Sequence, residues 1–217
     1  MMAHRCWNES YAAGDLPWDT GEPEPLLVDF VTAGRVRPTR TLEIGAGTGT
    51  NALWLAQRGF DVLGVDIAPH AIERATAKLN GLDLGCRFRT LDFLLASPPE
   101  APFHFVFDRG CFHVFDEEEE RARFAAQVAA ILAPGGLWLS LIGSTEGPPR
   151  DFGPPRRSAR DIALAIEPAL EILELRGAEF RAHGATAWFC LARKRGDGNL
   201  AGDDEASEAK SSDGMES

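Results

Sequence analysis

Apolar residues in the middle of the chain alternate between two spacings. Short apolar-rich runs at residues 41–44, 61–66, 86–91, 103–108 and 137–142 have the length and composition of β-strands. Between them the spacing becomes helical. Ile72, Ala75 and Leu79 share one face of a segment opened by Pro69, and Phe124, Val128 and Ile131 share another, ended by Pro134-Gly135-Gly136. A further helix is expected over residues 51–58. Five strands separated by helices predict a parallel sheet covered on both faces. After residue 158 the rhythm changes. Ser158 and Asp161 have the spacing of a capping box for a short helix. Two strand-like runs at 170–176 and 186–193 then follow, with only a turn between them, and predict an antiparallel hairpin at the sheet edge. The expected fold is therefore α/β, Rossmann-like and doubly wound, with a mostly parallel seven-stranded sheet closed by a C-terminal hairpin.

Outside this region the pattern thins. Residues 1–40 are rich in Trp, Pro and Gly, with one helical stretch at 25–31. Residues 196–217 hold Gly, Ser and seven acids against Lys210, a composition that predicts a disordered tail. The expected organisation is an N-terminal arm (1–40), a catalytic domain (41–195) and an acidic tail (196–217). The whole chain of 217 residues carries a formal charge of −11, of which the tail accounts for −6. The remaining body is mildly acidic and lacks the basic footprint of a nucleic-acid binder. No apolar run is long enough to span a bilayer, and the first residues lack the apolar core of a secretory signal, so a cytoplasmic location is expected. Cys6, Cys86, Cys111 and Cys190 are scattered, and His104, Cys111 and His113 have no usual metal spacing. No metal is expected.

The chemistry is concentrated at the carboxyl ends of the predicted strands, where open α/β sheets collect ligands. Residues 42–50 read Leu-Glu-Ile-Gly-Ala-Gly-Thr-Gly-Thr, directly after the first strand. Gly45, Gly47 and Gly49 allow a tight turn and close approach of a ligand to the backbone at Ala46 and Thr48. A dinucleotide fingerprint starting at Gly45 would place Gly or Ala at position 50, where this chain has Thr50. Asp66 ends the second strand 19 residues after Gly47, where a carboxylate meets the ribose hydroxyls of a nucleoside, and Ile67 follows it. Asp92 and Phe93 end the third strand. Asp108 ends the fourth and leads into Arg109-Gly110-Cys111-Phe112-His113.

The E-x-G-x-G-x-G string from Glu43, with these acids in order, resembles motif I and its partners in the class I S-adenosylmethionine-dependent methyltransferases. Residues 17–25, Pro-Trp-Asp-Thr-Gly-Glu-Pro-Glu-Pro, resemble the opening of the thiopurine and thiol/halide methyltransferases. The likeness implies S-adenosylmethionine as cofactor, an arm lying over the site, and Trp18 against the sulfonium, where a cation–π contact is physically sensible. It also implies adenine contacts from Asp92 and Phe93. Trp18, Arg109, Cys111, His113 and Arg150 are the candidate substrate contacts, and Asp108 and His113 the candidate catalytic groups. The expected reaction is methyl transfer to a small thiol or other soft nucleophile by a monomer or weak dimer. An in-line displacement needs alignment and exclusion of water, and a thiolate needs no general base. O- or N-methylation of a small metabolite, which would use a base, and a non-catalytic S-adenosylmethionine binder are the alternatives. A nicotinamide oxidoreductase is disfavoured by Thr50 and by the terminal hairpin.

Overall fold

The structure, a computed structural model, describes residues 7–148, 153, 155–180 and 184–195. Seven strands form one sheet in the order β3-β2-β1-β4-β5-β7-β6. They are β1 (Arg40–Ile44), β2 (Asp61–Asp66), β3 (Cys86–Thr90), β4 (Phe103–Arg109), β5 (Leu132–Gly143), β6 (Leu170–Phe180) and β7 (Ala185–Lys194). The first five run parallel, and β7 lies antiparallel between β5 and β6. The expected sheet and terminal hairpin are both present.

The strand residues supply two cores, one on each face. Leu42, Ile44, Val106 and Trp138 face α5 (Glu118–Ile131) and α6 (Ala159–Ile166). Phe105, Phe107, Leu139 and Leu141 face α2 (Pro25–Thr32) and α3 (Thr50–Ala56). Alternate residues of β4 and β5 thus serve opposite cores, which is why these two strands read as apolar-rich runs. The capping box forms as expected: the Ser158 side chain accepts from the Asp161 amide, and the Asp161 carboxylate accepts from the Ser158 amide.

Three details differ from the sequence reading. Helix α1 (Trp7–Ala13) lies within the region read as turn-rich; Tyr11 buries its ring against Ala68 and Ala71 at the start of α4 (Pro69–Ala77), and Asn8 caps the His70 amide. Leu79 falls beyond the end of α4. Strand β5 begins at Leu132, five residues earlier than expected. Its register against β4 jumps from Leu132 opposite Phe103 to Leu137 opposite Phe105, so Pro134, Gly135 and Gly136 bulge out of the ladder. Among the described residues no helix is long and apolar enough to cross a membrane.

Candidate active site

The strand order reverses at β1 and β4, and the candidate residues meet at the carboxyl ends of these two strands. After Ile44 the chain turns through Gly45, Gly47 and Gly49, all at positive φ (69°, 55° and 79°), before α3 begins. Asp66 braces this turn from the end of β2. Its Oδ2 accepts the Gly47 amide at 2.9 Å and its Oδ1 accepts the Ala68 amide at 2.9 Å. A carboxylate has about four acceptor positions, so two such bonds leave capacity for ligand hydroxyls. Burial raises the Asp66 pKa above its usual range. Next to it, Ile67 is half exposed (52%) and offers an apolar surface at the rim.

Beneath the turn lies Glu43, 2% exposed. Its Oε1 accepts from Asn51 Nδ2 at 3.0 Å, while Oε2 has no hydrogen-bond partner. Burial pushes its pKa up to about 8. The raised value favours the protonated folded state. Its contribution to stability is therefore complete below the ordinary carboxylate pKa and is lost as pH rises from about 4.5 to about 8. Glu43→Gln is expected to flatten that part of a urea-denaturation profile against pH. A variant that keeps the wild-type slope would refute the assignment.

Residues before β1 close the opposite wall. Asn51 Oδ1 accepts the Glu24 amide at 2.8 Å, and Glu24 Oε2 accepts from Arg109 Nε at 2.6 Å in a pair whose carboxylate is almost fully buried. Arg109 also donates to the Trp18 carbonyl at 3.2 Å, and its guanidinium lies 5.0 Å from the centre of the Phe180 ring. The Trp18 indole stands edge-on to Trp7 and Tyr11 and donates to the Tyr11 hydroxyl at 3.3 Å. Asp19 accepts from the Thr48 hydroxyl at 2.7 Å, and exposed Lys78 donates to Thr48 and Thr50. Of these, Tyr11, Trp18, Asp19, Glu24, Asn51 and Arg109 line a cleft of about 380 Å³ against the glycine turn.

The remaining candidates lie deeper or elsewhere. Asp108 is fully buried. Its carboxylate accepts the Cys111 and Phe112 amides at 3.1 and 3.0 Å and the Trp138 indole N–H at 2.9 Å, and burial raises its pKa to about 6. Cys111 is drawn up against the turn; a Cβ added at Gly45 would lie 3.1 Å from the Cys111 Cβ. Burial pushes its thiol well above the usual range. The Nδ1 of His113 accepts the Gly143 amide at 2.8 Å, so the ring proton sits on Nε2. Asp92 accepts the Leu94 amide at 3.0 Å. Phe93 turns its ring into the core, 5.1 Å from Phe124.

Arg150 lies outside the described residues. In the same loop, Arg156 donates to the carbonyls of Ser144, Thr145 and Glu146, and Arg157 pairs with Asp116 at 2.7 Å, so both guanidinium groups are engaged within the chain. Among the described residues no group of His, Cys, Asp and Glu has the arrangement of a metal site. Sequence reasoning missed Glu24, Asn51 and Asp19 as site components. Glu24 and Asp19 stand inside the 17–25 stretch already singled out, but their partners are 85 and 29 residues away.

The profile of the thiopurine S-methyltransferase family matches residues 2–182. The chain is 34% identical over 151 residues to a probable thiol methyltransferase 2 of Arabidopsis thaliana, a match covering 69% of this chain and 65% of that protein. It is 30% identical over 156 residues to thiocyanate methyltransferase 1 of Brassica oleracea, covering 70% and 67%. The matched part is thus about two thirds of each relative's length. Among solved structures, one reported for the conversion of a disulfide bond into a thioacetal group during echinomycin biosynthesis superimposes with a TM-score of 0.72 at 26% identity, covering 84% of this chain and 86% of that one.

Proposed function

The chain belongs to the thiopurine S-methyltransferase family, and from that premise we propose that it transfers a methyl group from S-adenosylmethionine to the sulfur of a small acceptor. The observation that carries this reading is the pairing of the glycine turn with two buried carboxylates. The positive-φ glycines leave an open backbone cradle, Asp66 retains acceptor capacity beside it, and Glu43 Oε2 is a buried acceptor still lacking a donor. These acceptors fit a nucleoside bearing hydroxyls and an ammonium group. Asp66 would hold the ribose, Ile67 and the Asp92–Phe93 backbone the adenine, and Gly45 to Gly49 with Glu43 the amino-acid end. When bound, the cofactor supplies a methyl group made electrophilic by its sulfonium.

The protein's part is alignment and exclusion of water. Tyr11, Trp18 and Glu24 serve as a cover over the cleft, which makes residues 1–40 the arm of a methyltransferase domain. Asp108 and His113 are positioning residues in this reading. Asp108 holds the 109–112 turn through its amide acceptors, and His113 ties that turn to the end of β5. The acceptor sulfur attacks without a dedicated base, and its proton passes to water. Three free thiols among the described residues (Cys86, Cys111, Cys190) support a reducing, cytoplasmic setting. The acidic composition supports a small-molecule acceptor rather than a nucleic acid.

Incubation with S-adenosylmethionine and phenylmethanethiol is expected to yield S-adenosylhomocysteine and the methyl sulfide. Turnover with phenols alone, dependent on a titrating base, would replace this reading with O-methylation. Asp66→Ala is expected to weaken S-adenosylhomocysteine binding by about 1–3 kcal/mol, the scale of hydrogen bonds to a charged group. Unchanged affinity in the folded variant would remove Asp66 from the ribose site.

A further inference from the structure

Glu43 lines the floor of the cleft, and Asn51 makes its two oxygens unequal. The Glu24 amide can only donate, so it fixes the Asn51 side chain with Oδ1 toward residue 24 at 2.8 Å. Nδ2 is thereby aimed at Glu43 Oε1 at 3.0 Å, and that oxygen is the acceptor. In the neutral acid the proton therefore sits on Oε2, which has no hydrogen-bond partner among the described residues. The surroundings keep the acid neutral. Glu43 is 2% exposed, and an unpaired charge there is costly. Arg109 lines the same cleft but lies 2.6 Å from Glu24 and is committed to it, while Lys78 bonds Thr48 and Thr50. The other titratable groups around Glu43 are acids: Asp66 at the end of β2, Asp19, Glu22 and Glu24 along the arm, and the Tyr11 phenol. Cys86 on β3, whose thiol feels Glu43, is held neutral by burial. Burial outweighs the Asn51 and Ala52 hydrogen bonds to Glu43, which is why its pKa stands at about 8.

An ammonium group is a donor only, and so is the protonated Oε2 that it would meet. We propose that Glu43 is a proton-coupled receptor for the ammonium of the cofactor's amino-acid end, expelling its own proton to solvent as that group enters. This rests on the methyltransferase reading and deepens it. The Oε2–H bond breaks, the proton passes to water, and an ammonium N–H then donates to the Oε2 carboxylate, which leaves the buried charge paired. The free site holds one more proton than the loaded one. Affinity for an ammonium-bearing ligand therefore rises with pH below the Glu43 pKa of about 8 and levels off above it. A nucleoside without the amino-acid end makes no such demand.

The test counts released protons by calorimetry of the intact chain in PIPES and in imidazole, buffers of unlike ionisation enthalpy, at about pH 6.5, where an α-amino group is still charged. The ligands are S-adenosylhomocysteine and 5′-deoxy-5′-methylthioadenosine, which has the nucleoside and sulfur but no amino-acid end. S-adenosylhomocysteine is expected to release about one proton more than methylthioadenosine, and its relative affinity to rise about tenfold per pH unit from about 5.5 to 7.5. Any proton exchange at Asp66 is common to both ligands and cancels. Glu43→Gln, which sets an amide donor in place of the Oε2 hydroxyl, should abolish the difference and lower the relative affinity for S-adenosylhomocysteine about tenfold or more. Infrared difference spectra need no variant: wild type should lose a protonated-carboxyl stretch on addition of S-adenosylhomocysteine and keep it with methylthioadenosine. Equal proton release by the two ligands, a retained carboxyl band, or an unchanged difference in folded Glu43→Gln would overturn the proposal. Failure of both ligands to bind would instead defeat the methyltransferase reading, and the proposal with it.

Discussion

Replacing Arg109 with leucine is expected to cost about 3–5 kcal/mol of folding stability, the scale for leaving a buried charge without its partner. Glu24 would keep its carboxylate almost fully buried with only the Leu26 amide as donor. The variant would also lose the bond to the Trp18 carbonyl and the contact with Phe180. The Glu24→Gln/Arg109→Leu double variant removes both charges and should recover most of the loss, because a neutral pair of similar size carries no uncompensated ion. Urea denaturation of the three proteins checks this. An Arg109→Leu protein as stable as wild type would mean that the pair does not hold residues 18–24 to the end of β4.

Gly49→Ala is expected to cost about 2–5 kcal/mol from two sources, a left-handed backbone and an overfilled contact. Gly49 has φ of 79°, and a Cβ there would lie 2.5 Å from Phe88 Cζ and 2.9 Å from the Ala75 Cβ. Gly64 leaves the other half of the same space, with the Phe88 ring 2.6 Å from its would-be Cβ. Gly21→Ala separates the two effects: it has φ of 73° with nothing within 4 Å, so only the backbone cost of about 1–2 kcal/mol applies. Thermal denaturation of both variants should give clearly unequal losses. Equal losses would show that contact with Phe88 contributes nothing.

The same residues show what the sequence makes legible. The strand rhythm could be read because β2, β4 and β5 feed both cores, leaving apolar-rich runs between amphipathic helices. The glycine turn and Asp66 could be read because their spacing is fixed by a local strand–turn–helix unit. The Gly47–Asp66 hydrogen bond joins two ends of adjacent parallel strands. Helix α1 was hidden because the seven residues of Trp7–Ala13 are too few to hold a helix unaided, and Tyr11 against Ala68 and Ala71 and Asn8 on His70 anchor it. The early start of β5 was hidden because Pro134-Gly135-Gly136 reads as a stop, and only the partner strand reveals a bulge instead. Phe93 looked available to a ligand by its place after Asp92, yet its ring fills the core beside Phe124. Glu24 was hardest to foresee, since its partner lies 85 residues away and no local pattern links the two.

The cleft between the glycine turn and residues 11–25 is proposed to hold an adenosyl sulfonium cofactor. Calorimetric titration of the intact chain with S-adenosylmethionine and S-adenosylhomocysteine, with NADH as control, tests it most directly. One saturable site is expected for the two adenosyl compounds, weakened by Asp66→Ala, and no binding of NADH. Folded protein that binds neither adenosyl compound, or binds NADH in their place, would contradict it.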